Sequence, residues 1–524
     1  MNIAMISWDN TTQIYPIRVL STILSKQGHK IKIILAISYL EKLNDLNNPD
    51  ITNRRMPGIL EIIKDCEIVG LSFLSVHANN AEIIAKKIKE IYPDKIIISG
   101  GVHASVRPEN TLKFSDYVCV GESENSFKLF VESIESRHKP DDIVGILSRN
   151  NSFDSYKASI PIENLDDIPI PQFFFDSTYI FIPERCDWVL RCSSMFIPIR
   201  APIRGCYYLF PDRGCTGNCA YCCRPLLKKL SGIKKIRKRS VENIIDELST
   251  VKKNIPNLQR VFIYSDDFLM WSTRELENFI RLYKNMIALP FAFYFSPHSY
   301  NDDKMSILLQ SGYVQDYKMG IQTGSPKIRK IYNRTESNDK IIKVTKRVKM
   351  ISKKNKIMPT YDFIITSPWE TYNDKLETLK LICKIPRPFS CNFFTLIFYP
   401  GTKLYDLAIE DGYLDEQLYN EQFNLNNYIS RKLRSGNEDT DLYINICRLR
   451  SVLPIPYFLV AMCYKHKIFL SIRLVNILAA FVREKIRSGY LIATFKLSKR
   501  IFSKIYRLVN SDLPPKKVDT LNSW

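Results

Sequence analysis

Four cysteines crowd into nine positions in the stretch PDRGCTGNCAYCCRP, which covers residues 211–225. Gaps of three and two residues separate Cys215, Cys219 and Cys222, and Cys223 follows directly. In a reducing compartment, cysteines act as thiols or metal ligands before they form disulfides. Glycines in the loop let backbone N–H groups approach sulfur, so three thiolates at this spacing can wrap one corner of a metal cluster.

The spacing leaves two kinds of metal site open. Structural zinc needs four ligands, and neighbouring side chains rarely reach one ion together, so Cys222 and Cys223 do not both serve. A zinc site would then recruit Cys206 as its fourth ligand. A set of three cysteines instead leaves one iron of a [4Fe–4S] cluster open to a further ligand. Cys223 is expected to be a buried thiol, with an active-site group as the alternative.

The elements that must position this loop begin with a strand–helix alternation over residues 1–137. The predicted strands lie at 2–7, 30–37, 68–73, 95–99 and 116–120. The predicted helices lie at 16–27, 79–91 and 124–136. This order predicts an α/β fold with a doubly wound parallel sheet, whose ligands bind beyond the carboxyl ends of the strands.

Three further regions follow along the chain. Residues 138–200 are rich in proline and aromatic residues without periodicity, and we interpret them as an ordered connector. Residues 201–412 contain six βα-like units, which predict a (β/α)6 partial TIM barrel with its working face at the carboxyl ends of the strands. Residues 413–524 are predicted to be α-helical and basic.

Composition sets the class of protein. The chain has 524 residues, of which 45% are hydrophobic and 25% charged, so we expect an ordered globular protein of several domains. The first residues lack a basic segment followed by an apolar one, so we expect a cytoplasmic protein. A net charge of +21 indicates attraction to polyanions, which keeps a nucleic-acid-binding metal protein open as an alternative.

The basic charge is concentrated near the end of the chain, where residues 448–524 carry 15 Lys or Arg against three acidic residues. The apolar pattern at 468–482 is shorter than the ~18 residues that a membrane span needs, and Arg473 interrupts it. We expect a packed helical region with a basic outer surface. Peripheral contact with an anionic membrane is the alternative.

Several short motifs are distributed along residues 1–412. The barrel region contains RGCTGNCAYC (213–222), FIYSDDFL (262–269), MGIQTGSPKIRKIYNR (319–334), DFIITSPWET (362–371) and FYPGTKLYDLA (398–408). The earlier regions contain VGLSFLSV (69–76), IISGGVHASVRPENTL (97–112), DYVCVGESE (116–124) and LDDIPIPQFFFD (165–176). Together these stretches resemble the cobalamin-binding branch of the radical S-adenosylmethionine enzymes.

The resemblance implies roles for residues of the barrel. Cys215, Cys219 and Cys222 would bind three irons of a [4Fe–4S] cluster, and the fourth iron would bind S-adenosylmethionine (SAM). Reductive cleavage of SAM would give a 5′-deoxyadenosyl radical. The other residues expected at this cofactor site are Tyr221, Asp266, Asp267, Gln322 and Ser325, with weaker expectations for Ser296 and His298.

The resemblance also implies cobalamin at the N-terminal sheet. The residues expected to cradle it are Gly70, Ser72, Gly100, Gly101 and Gly121, because backbone must come close there. The family sequence that gives cobalt a histidine ligand is absent after Asp9, so the lower face of the corrin would be free of histidine. His103 is equally compatible with a satisfied loop histidine and with a cofactor contact.

Two positions depart from the family pattern. Gln322 replaces the usual Glu of GIESGS, so that position carries no charge. The TSP sequence that ends at Pro368 lacks the family's usual Gly, so the backbone there is expected to approach less closely.

The implied activity is radical methylation of an unactivated carbon or phosphorus in a small-molecule, natural-product or lipid substrate. The alternative on the same scaffold is a radical rearrangement, cyclisation or ring contraction without methyl transfer. The expected partners are the substrate and an electron donor such as flavodoxin or ferredoxin, with no nucleic acid. A methylthiotransferase would need a second cluster, but before residue 186 only Cys66 and Cys119 are present.

Overall fold

We describe a computed structural model of the chain over residues 1–8, 14–36, 49–150, 157–182, 187–190, 205–255, 257–415, 438–453 and 455–467. Asp9 and the predicted basic helix at 468–482 lie outside these residues. None of the helices within the described ranges is long and apolar enough to cross a membrane.

The N-terminal sheet has helices on both faces. Its strands are β1 (Asn2–Ser7), β2 (Lys30–Leu35), β3 (Ile68–Ser72), β4 (Ile96–Gly100), β5 (Tyr117–Cys119), β6 (Ile146–Ser148), β7 (Thr178–Ile182) and β8 (Asp187–Leu190). Its helices are α1 (Tyr15–Lys26), α2 (Pro49–Ile63), α3 (Ala78–Ile91), α4 (Val102–Val106), α5 (Pro108–Leu112) and α6 (Glu124–Glu135). The strand order is β6-β5-β4-β3-β1-β2-β7-β8.

The central strands β5, β4, β3, β1 and β2 are parallel, which confirms the predicted doubly wound sheet. Their sequences are nearly continuous in Ile and Val because both faces are covered. Helices α2 and α3 contribute to the apolar core on one face, and α1 and α6 contribute to the core on the other. The strand order reverses between β1 and β3, where such sheets bind ligands.

Part of the predicted connector belongs to this sheet. Strand β7 pairs in parallel with β2, and β8 returns antiparallel to β7. The segment before β7 packs on α1, where the Arg18 guanidinium donates to the carbonyls of Pro171 and Gln172. The described part of the predicted connector therefore packs on the N-terminal sheet and adds three strands to it, namely β6, β7 and β8.

A second parallel sheet forms the predicted partial barrel, with strand order β9-β12-β13-β14-β15-β16. Its strands are β9 (Cys206–Leu209), β12 (Arg260–Ile263), β13 (Phe291–Phe295), β14 (Val314–Gln322), β15 (Thr360–Ile365) and β16 (Ser390–Thr395). A small antiparallel ribbon, β10 (Asp212–Arg213) with β11 (Arg237–Lys238), follows β9.

Helices cover the outside of the barrel. They are α7 (Arg224–Ser231), α8 (Val241–Asn254), α9 (Thr273–Met286), α10 (Asp302–Gln310), α11 (Pro326–Ile331), α12 (Asn338–Lys354), α13 (Tyr372–Lys384) and α14 (Lys403–Glu410). Ser240 caps α8 as predicted, and Ser272 with Glu275 forms a capping box at the start of α9. Alternate strand residues such as Val261, Ile263 and Phe293 pack outward against these helices.

Two described helices of the C-terminal region pack on the barrel, namely α15 (Glu438–Val452) and α16 (Tyr457–Lys465). The Tyr443 hydroxyl donates to the carbonyl of Lys375, and Arg450 donates to that of Cys383. Ile446 is buried in the main apolar core of the barrel. This part of the region is therefore helical and packed, whereas the membrane alternative concerns residues that lie mostly outside the description.

Candidate active site

The cysteine loop lies just beyond β9 and β10, at the carboxyl rim of the barrel. Cys215, Cys219 and Cys222 are all half-buried. A Cβ atom placed on Gly217 would lie 3.3 Å from the sulfur of Cys215 and 3.8 Å from that of Cys219, so both sulfurs flank this glycine. The Gly217 N–H donates to Cys215 Sγ at 3.2 Å.

The other two sulfurs also face hydrogen-bond donors. The Arg224 N–H lies 3.4 Å from Cys222 Sγ, and Arg334 Nη1 lies 3.6 Å from Cys219 Sγ. Donors aimed at sulfur stabilise thiolate and tune the potential of an iron–sulfur cluster. The three cysteines therefore fit a cluster in which each sulfur binds a different iron.

A single-ion zinc site does not fit. Cys206 is buried at the base of the barrel against Phe262 and Ala292, away from the rim loop. Within the described part of the chain, no three His, Cys, Asp or Glu side chains converge on one metal position. The zinc alternative is therefore not supported.

The side chains of Cys222 and Cys223 are hydrogen-bonded to each other. Their mutual hydrogen bond lowers the pKa of Cys223 to about 7, and the same bond together with burial raises the pKa of Cys222. Burial also raises the pKa of Cys215. Metal binding has to displace protons from these thiols, so loading is expected to be pH-dependent. Cys223 is half-buried rather than fully buried.

Both predicted acids lie on the rim after β12. Asp266 Oδ2 pairs with Arg224 Nε at 2.9 Å, and Asp267 accepts hydrogen bonds of 2.6 Å from the hydroxyls of Ser296 and Ser299. Burial raises the pKa of each carboxyl. Neither acid caps α9, which begins at Thr273 and is capped by Ser272.

The remaining predicted barrel residues lie in different environments. Gln322 ends β14 with a φ of +71°, at a shift of strand register, which is strained backbone of the kind that clusters at functional sites. Tyr221 packs edge-on against Tyr332 beneath the loop. Ser325 is fully buried as the N-cap of α11 and donates to Asp374, which accounts for its hydroxyl without a cofactor. His298 is exposed.

Thr366 stands where the family pattern has Gly, and its φ is +66°. The chain therefore keeps a left-handed conformation at this rim position although the residue is not glycine. Glu370, four residues later, has a pKa raised by burial to about 7. Residue type alone does not predict a role for Glu370, because the burial of its carboxyl depends on how the DFIITSPWET stretch packs.

Several polar side chains that the sequence analysis did not predict as site residues lie inside the barrel, directly below the rim. The rings of Tyr294 and Phe262 pack edge-to-face with centroids 5.0 Å apart, and Lys318 Nζ lies 5.4 and 5.5 Å from their respective centroids. On the facing strands, Asn392 Nδ2 donates to Asp362 Oδ1 at 2.8 Å, and burial raises the pKa of Asp362 to about 6. Strand alternation points these residues into the lumen, a signal that the sequence carried.

The edge of the N-terminal sheet is built mainly from backbone. Gly101 has φ +96° and ψ −174°, and a Cβ there would lie 2.8 Å from the Phe73 carbonyl oxygen. Gly121 has φ +89° and is half-buried, and a Cβ placed there would lie 3.4 Å from the Ala158 Cβ. Both glycines are therefore required by conformation at the carboxyl edge.

The other predicted cradle residues differ in kind. Gly70 lies mid-strand, where a Cβ would meet the Met5 sulfur at 2.7 Å, so packing within the sheet explains it. Gly100 is half-buried at the end of β4 and has room for a Cβ. Ser72 is half-buried at the end of β3.

Two buried histidines also lie at this edge. His103 Nδ1 lies 3.0 Å from the Ser75 hydroxyl, and burial followed by repulsion from Arg107 lowers its pKa to about 4. Burial lowers the pKa of His77, which we did not predict, to about 3, and its Nδ1 has no hydrogen-bond partner. A buried nitrogen without a partner fits a site that a ligand completes.

The carboxyl edges of the two sheets face each other. Arg213, two residues before Cys215, donates to Glu122 and Glu124, which follow Gly121. The two predicted cofactor loops are thus joined directly.

Two family profiles match the chain, one for each sheet. The B12 binding domain matches residues 2–131, and the Radical SAM superfamily matches residues 210–382. The chain combines a B12 binding domain with a radical SAM domain. Its cofactors are those of these two domains, a [4Fe–4S] cluster, SAM and cobalamin, as the resemblance implied.

Individual proteins agree with this assignment. An uncharacterised methyltransferase of Pyrococcus horikoshii is 25% identical over 395 residues, which cover 74% of this chain and 77% of the relative. The methyltransferase TsrM of Kitasatospora setae, solved with cobalamin and a [4Fe–4S] cluster bound, is 12% identical with a TM-score of 0.59 and covers 78% of each chain. The cobalamin-dependent SAM radical enzyme OxsB is 14% identical with a TM-score of 0.62, covering 97% of this chain and 75% of that one. These two structures share the fold.

Proposed function

We propose that this chain is a cobalamin-dependent radical SAM methyltransferase that acts on a small molecule. The observation that carries the proposal is the direct contact between the two cofactor loops, through Arg213 and the Glu122 and Glu124 carboxylates. A methyl group that passes from cobalamin to a substrate radical requires both cofactors to reach the same substrate. The Pyrococcus relative and TsrM are both described as methyltransferases.

Residues of the rim would hold the cofactors and exclude water. When bound, the cluster and SAM supply the 5′-deoxyadenosyl radical, and cobalamin supplies the methyl group. Cys215, Cys219 and Cys222 would hold the irons, while the N–H donors that face their sulfurs favour the thiolate form. Asp266 and Asp267 would orient the ammonium of SAM from positions where burial strengthens their electrostatic effect.

For Asp266 this role requires a change of partner. Its carboxylate is paired with Arg224, so the ammonium of SAM would either share the carboxylate or replace the guanidinium. Asp267 is held by the Ser296 and Ser299 hydroxyls, which leave its remaining lone pairs for a further donor. We therefore assign the main ammonium contact to Asp267.

The barrel lumen supports a substrate with a flat or apolar region and a polar group. Phe262 and Tyr294 form an aromatic wall, and Lys318 contacts both rings without a carboxylate within ion-pair distance among the described residues. Asp362 and Asn392 lie on the adjacent strands β15 and β16. Such a wall with a few polar groups is typical of small-molecule sites.

The electron donor is proposed to be a flavodoxin or ferredoxin.

Anaerobic reconstitution tests the proposal. We expect the purified protein to bind iron, sulfide and a corrinoid, and to form both 5′-deoxyadenosine and S-adenosylhomocysteine when substrate is present. Both products are required, because one SAM yields the radical and another re-methylates cobalamin. Formation of 5′-deoxyadenosine without S-adenosylhomocysteine would instead indicate the rearrangement or cyclisation alternative. A zinc-loaded protein without sulfide would refute both.

A further inference from the structure

The ribbon β10–β11 lies between the two cofactor loops, and its side chains contact both the barrel and the N-terminal sheet. Successive side chains of a strand point to opposite sides. Asp212 points to the barrel, where its Oδ2 accepts hydrogen bonds from the Ser265 hydroxyl at 2.7 Å and from Trp271 Nε1 at 2.8 Å. It is 8% exposed, so one side of the ribbon is fixed to the barrel.

Arg213 points the other way, to the N-terminal sheet. Its Nη1 lies 2.6 Å from Glu122 Oε2, and its Nη2 lies 2.6 Å from Glu124 Oε1. Arg237, its partner across the ribbon, donates to the other oxygen of Glu122 and to the carbonyl of Ile162 in the connector. Two guanidinium groups thus hold two carboxylates.

The residues of this ion-pair network lie next to the two predicted cofactor loops in the chain. Glu122 follows Gly121 at the corrinoid edge, and Glu124 begins α6. Arg213 precedes Cys215 by two residues. The side chains of Arg237 and Glu124 are 4% and 9% exposed, and those of Arg213 and Glu122 are 22% and 26% exposed, so the network is largely but not fully shielded from water. Charge-assisted bonds in two directions also have a defined geometry, unlike a single flexible ion pair.

We propose that Arg213, with Arg237, Glu122 and Glu124, forms a clamp that fixes the distance between the corrin and the [4Fe–4S] cluster. This inference rests on the proposed function, because it assumes that both cofactors are bound. The four residues are positioning residues: they act through the Gly121 and Cys215 loops and not through the reacting atoms. Without the clamp, each cofactor would still bind, but at a less defined separation.

Electron paramagnetic resonance tests the clamp without turnover. Cob(II)alamin and the reduced cluster are both paramagnetic, and their spin–spin interaction depends steeply on distance. In the reconstituted protein we expect Glu122→Gln, which keeps the shape of the side chain, and Arg213→Gln to lose or broaden this interaction. Iron and corrinoid contents, measured separately, should stay near wild type. Arg213→Lys should recover part of the interaction, since one ion pair remains.

The matched control is Glu163→Gln. Glu163 forms an ion pair of 3.4 Å with Lys235 near the same ribbon, but both side chains are largely exposed. We expect this variant to keep the wild-type interaction. Wild-type coupling in both Glu122→Gln and Arg213→Gln would overturn the clamp.

Hydrogen–deuterium exchange in the cofactor-free protein supplies a second readout. Loss of a buried ion pair should speed exchange of residues 213–219 about tenfold or more in Glu122→Gln, whereas exchange in β14 should not change. Unchanged exchange, together with loss of corrinoid, would overturn the clamp by assigning the carboxylates to cofactor binding. If wild-type protein bound no cobalamin, the proposed function would fail, yet the exchange result would still be obtained.

Discussion

The corrinoid edge of the N-terminal sheet and the cluster rim of the barrel lie at equivalent places in two parallel sheets, yet they are built differently. The corrinoid edge consists of glycines with unusual backbone angles and of buried, neutral histidines. The cluster rim consists of thiols, carboxyls and guanidinium groups. In the proposed function, the first edge recognises a large cofactor by shape, whereas the second holds its cofactor through ligands and charge.

This difference predicts different responses to substitution. At the rim, changing one side chain should remove a ligand or a charge while the fold persists. At the corrinoid edge, a substitution should disturb the backbone and the cofactor site together, because the same residues form both.

The largest effect is expected from the cluster ligands. Alanine at Cys215, Cys219 or Cys222 should abolish the cluster and bring SAM cleavage below detection, because each sulfur holds a separate iron. Iron and sulfide assays with 5′-deoxyadenosine measurement check this. Cys223→Ala is the matched control and should retain the cluster. Turnover in any of the three ligand variants would contradict the assignment of the rim.

The next effect concerns Gly101 and Gly100. Gly101→Ala should destabilise the N-terminal sheet by about 3 kcal/mol, since its backbone angles are almost exclusive to glycine and the new Cβ would meet the Phe73 carbonyl. Gly100→Ala should leave the melting temperature nearly unchanged, because its Cβ would make only an ordinary contact. Equal melting temperatures for the two variants would refute a backbone-built edge.

Corrinoid content should separate the two roles of these glycines. Because Gly101→Ala disturbs the sheet itself, it should lose cobalamin together with stability. Gly100→Ala keeps the sheet, so any loss of cobalamin there would report the cradle directly.

A pH-dependent effect is expected from Asp362, below the rim. Burial raises its pKa from 3.8 to about 6, so the folded state favours the protonated carboxyl. No stability is lost below pH 3.8, and the loss grows as pH rises to about 6 and then levels off. Asp362→Asn should therefore match wild type at pH 4 and be more stable at pH 7 by up to about 3 kcal/mol.

Denaturant unfolding of the cofactor-free protein at the two pH values measures this difference. The asparagine can still accept the hydrogen bond from Asn392, so that contact is preserved in the comparison. A constant difference between the two proteins at pH 4 and pH 7 would exclude a buried, titrating carboxyl.

The smallest effect is expected from Arg334. Its guanidinium faces Cys219 Sγ, and removing it in Arg334→Gln should make reduction of the cluster harder. A charge-assisted hydrogen bond of about 1.4 kcal/mol corresponds to about 60 mV for one electron, so we expect the potential to fall by about that amount. Redox titration followed by electron paramagnetic resonance measures it, with Lys340→Gln on the exposed side of α12 as the control.

Sequence reasoning predicted the elements that have a strong local signal. The Cys215–Cys222 spacing, the acids after β12 and the strand–helix alternation are all local patterns, and the structure contains them. Predicted element boundaries differ from the observed ones mostly by one or two residues, because helix ends and strand ends depend on caps and pairing.

The remainder depends on contacts between distant segments. Three observations depend on what packs nearby and could not be predicted. They are the pairing of Asp266 with Arg224, the burial of Ser325 and the lack of a hydrogen-bond partner at His77 Nδ1. The lumen group around Lys318 was visible as strand alternation, but its two aromatic partners come from other strands. Residue type and spacing therefore predict the proposed cluster ligands, whereas the polar groups around them depend on contacts between distant segments.

Strand β7 affects how this protein can be divided. Because β7 returns from the region after residue 138 to pair with β2, the corrinoid unit does not end where its match to the B12 binding domain ends. A chimera joined at residue 137 would leave β2 as an unpaired edge, which is prone to association with other chains. A junction placed after β8 would keep the sheet whole and is the better point at which to exchange this unit between enzymes.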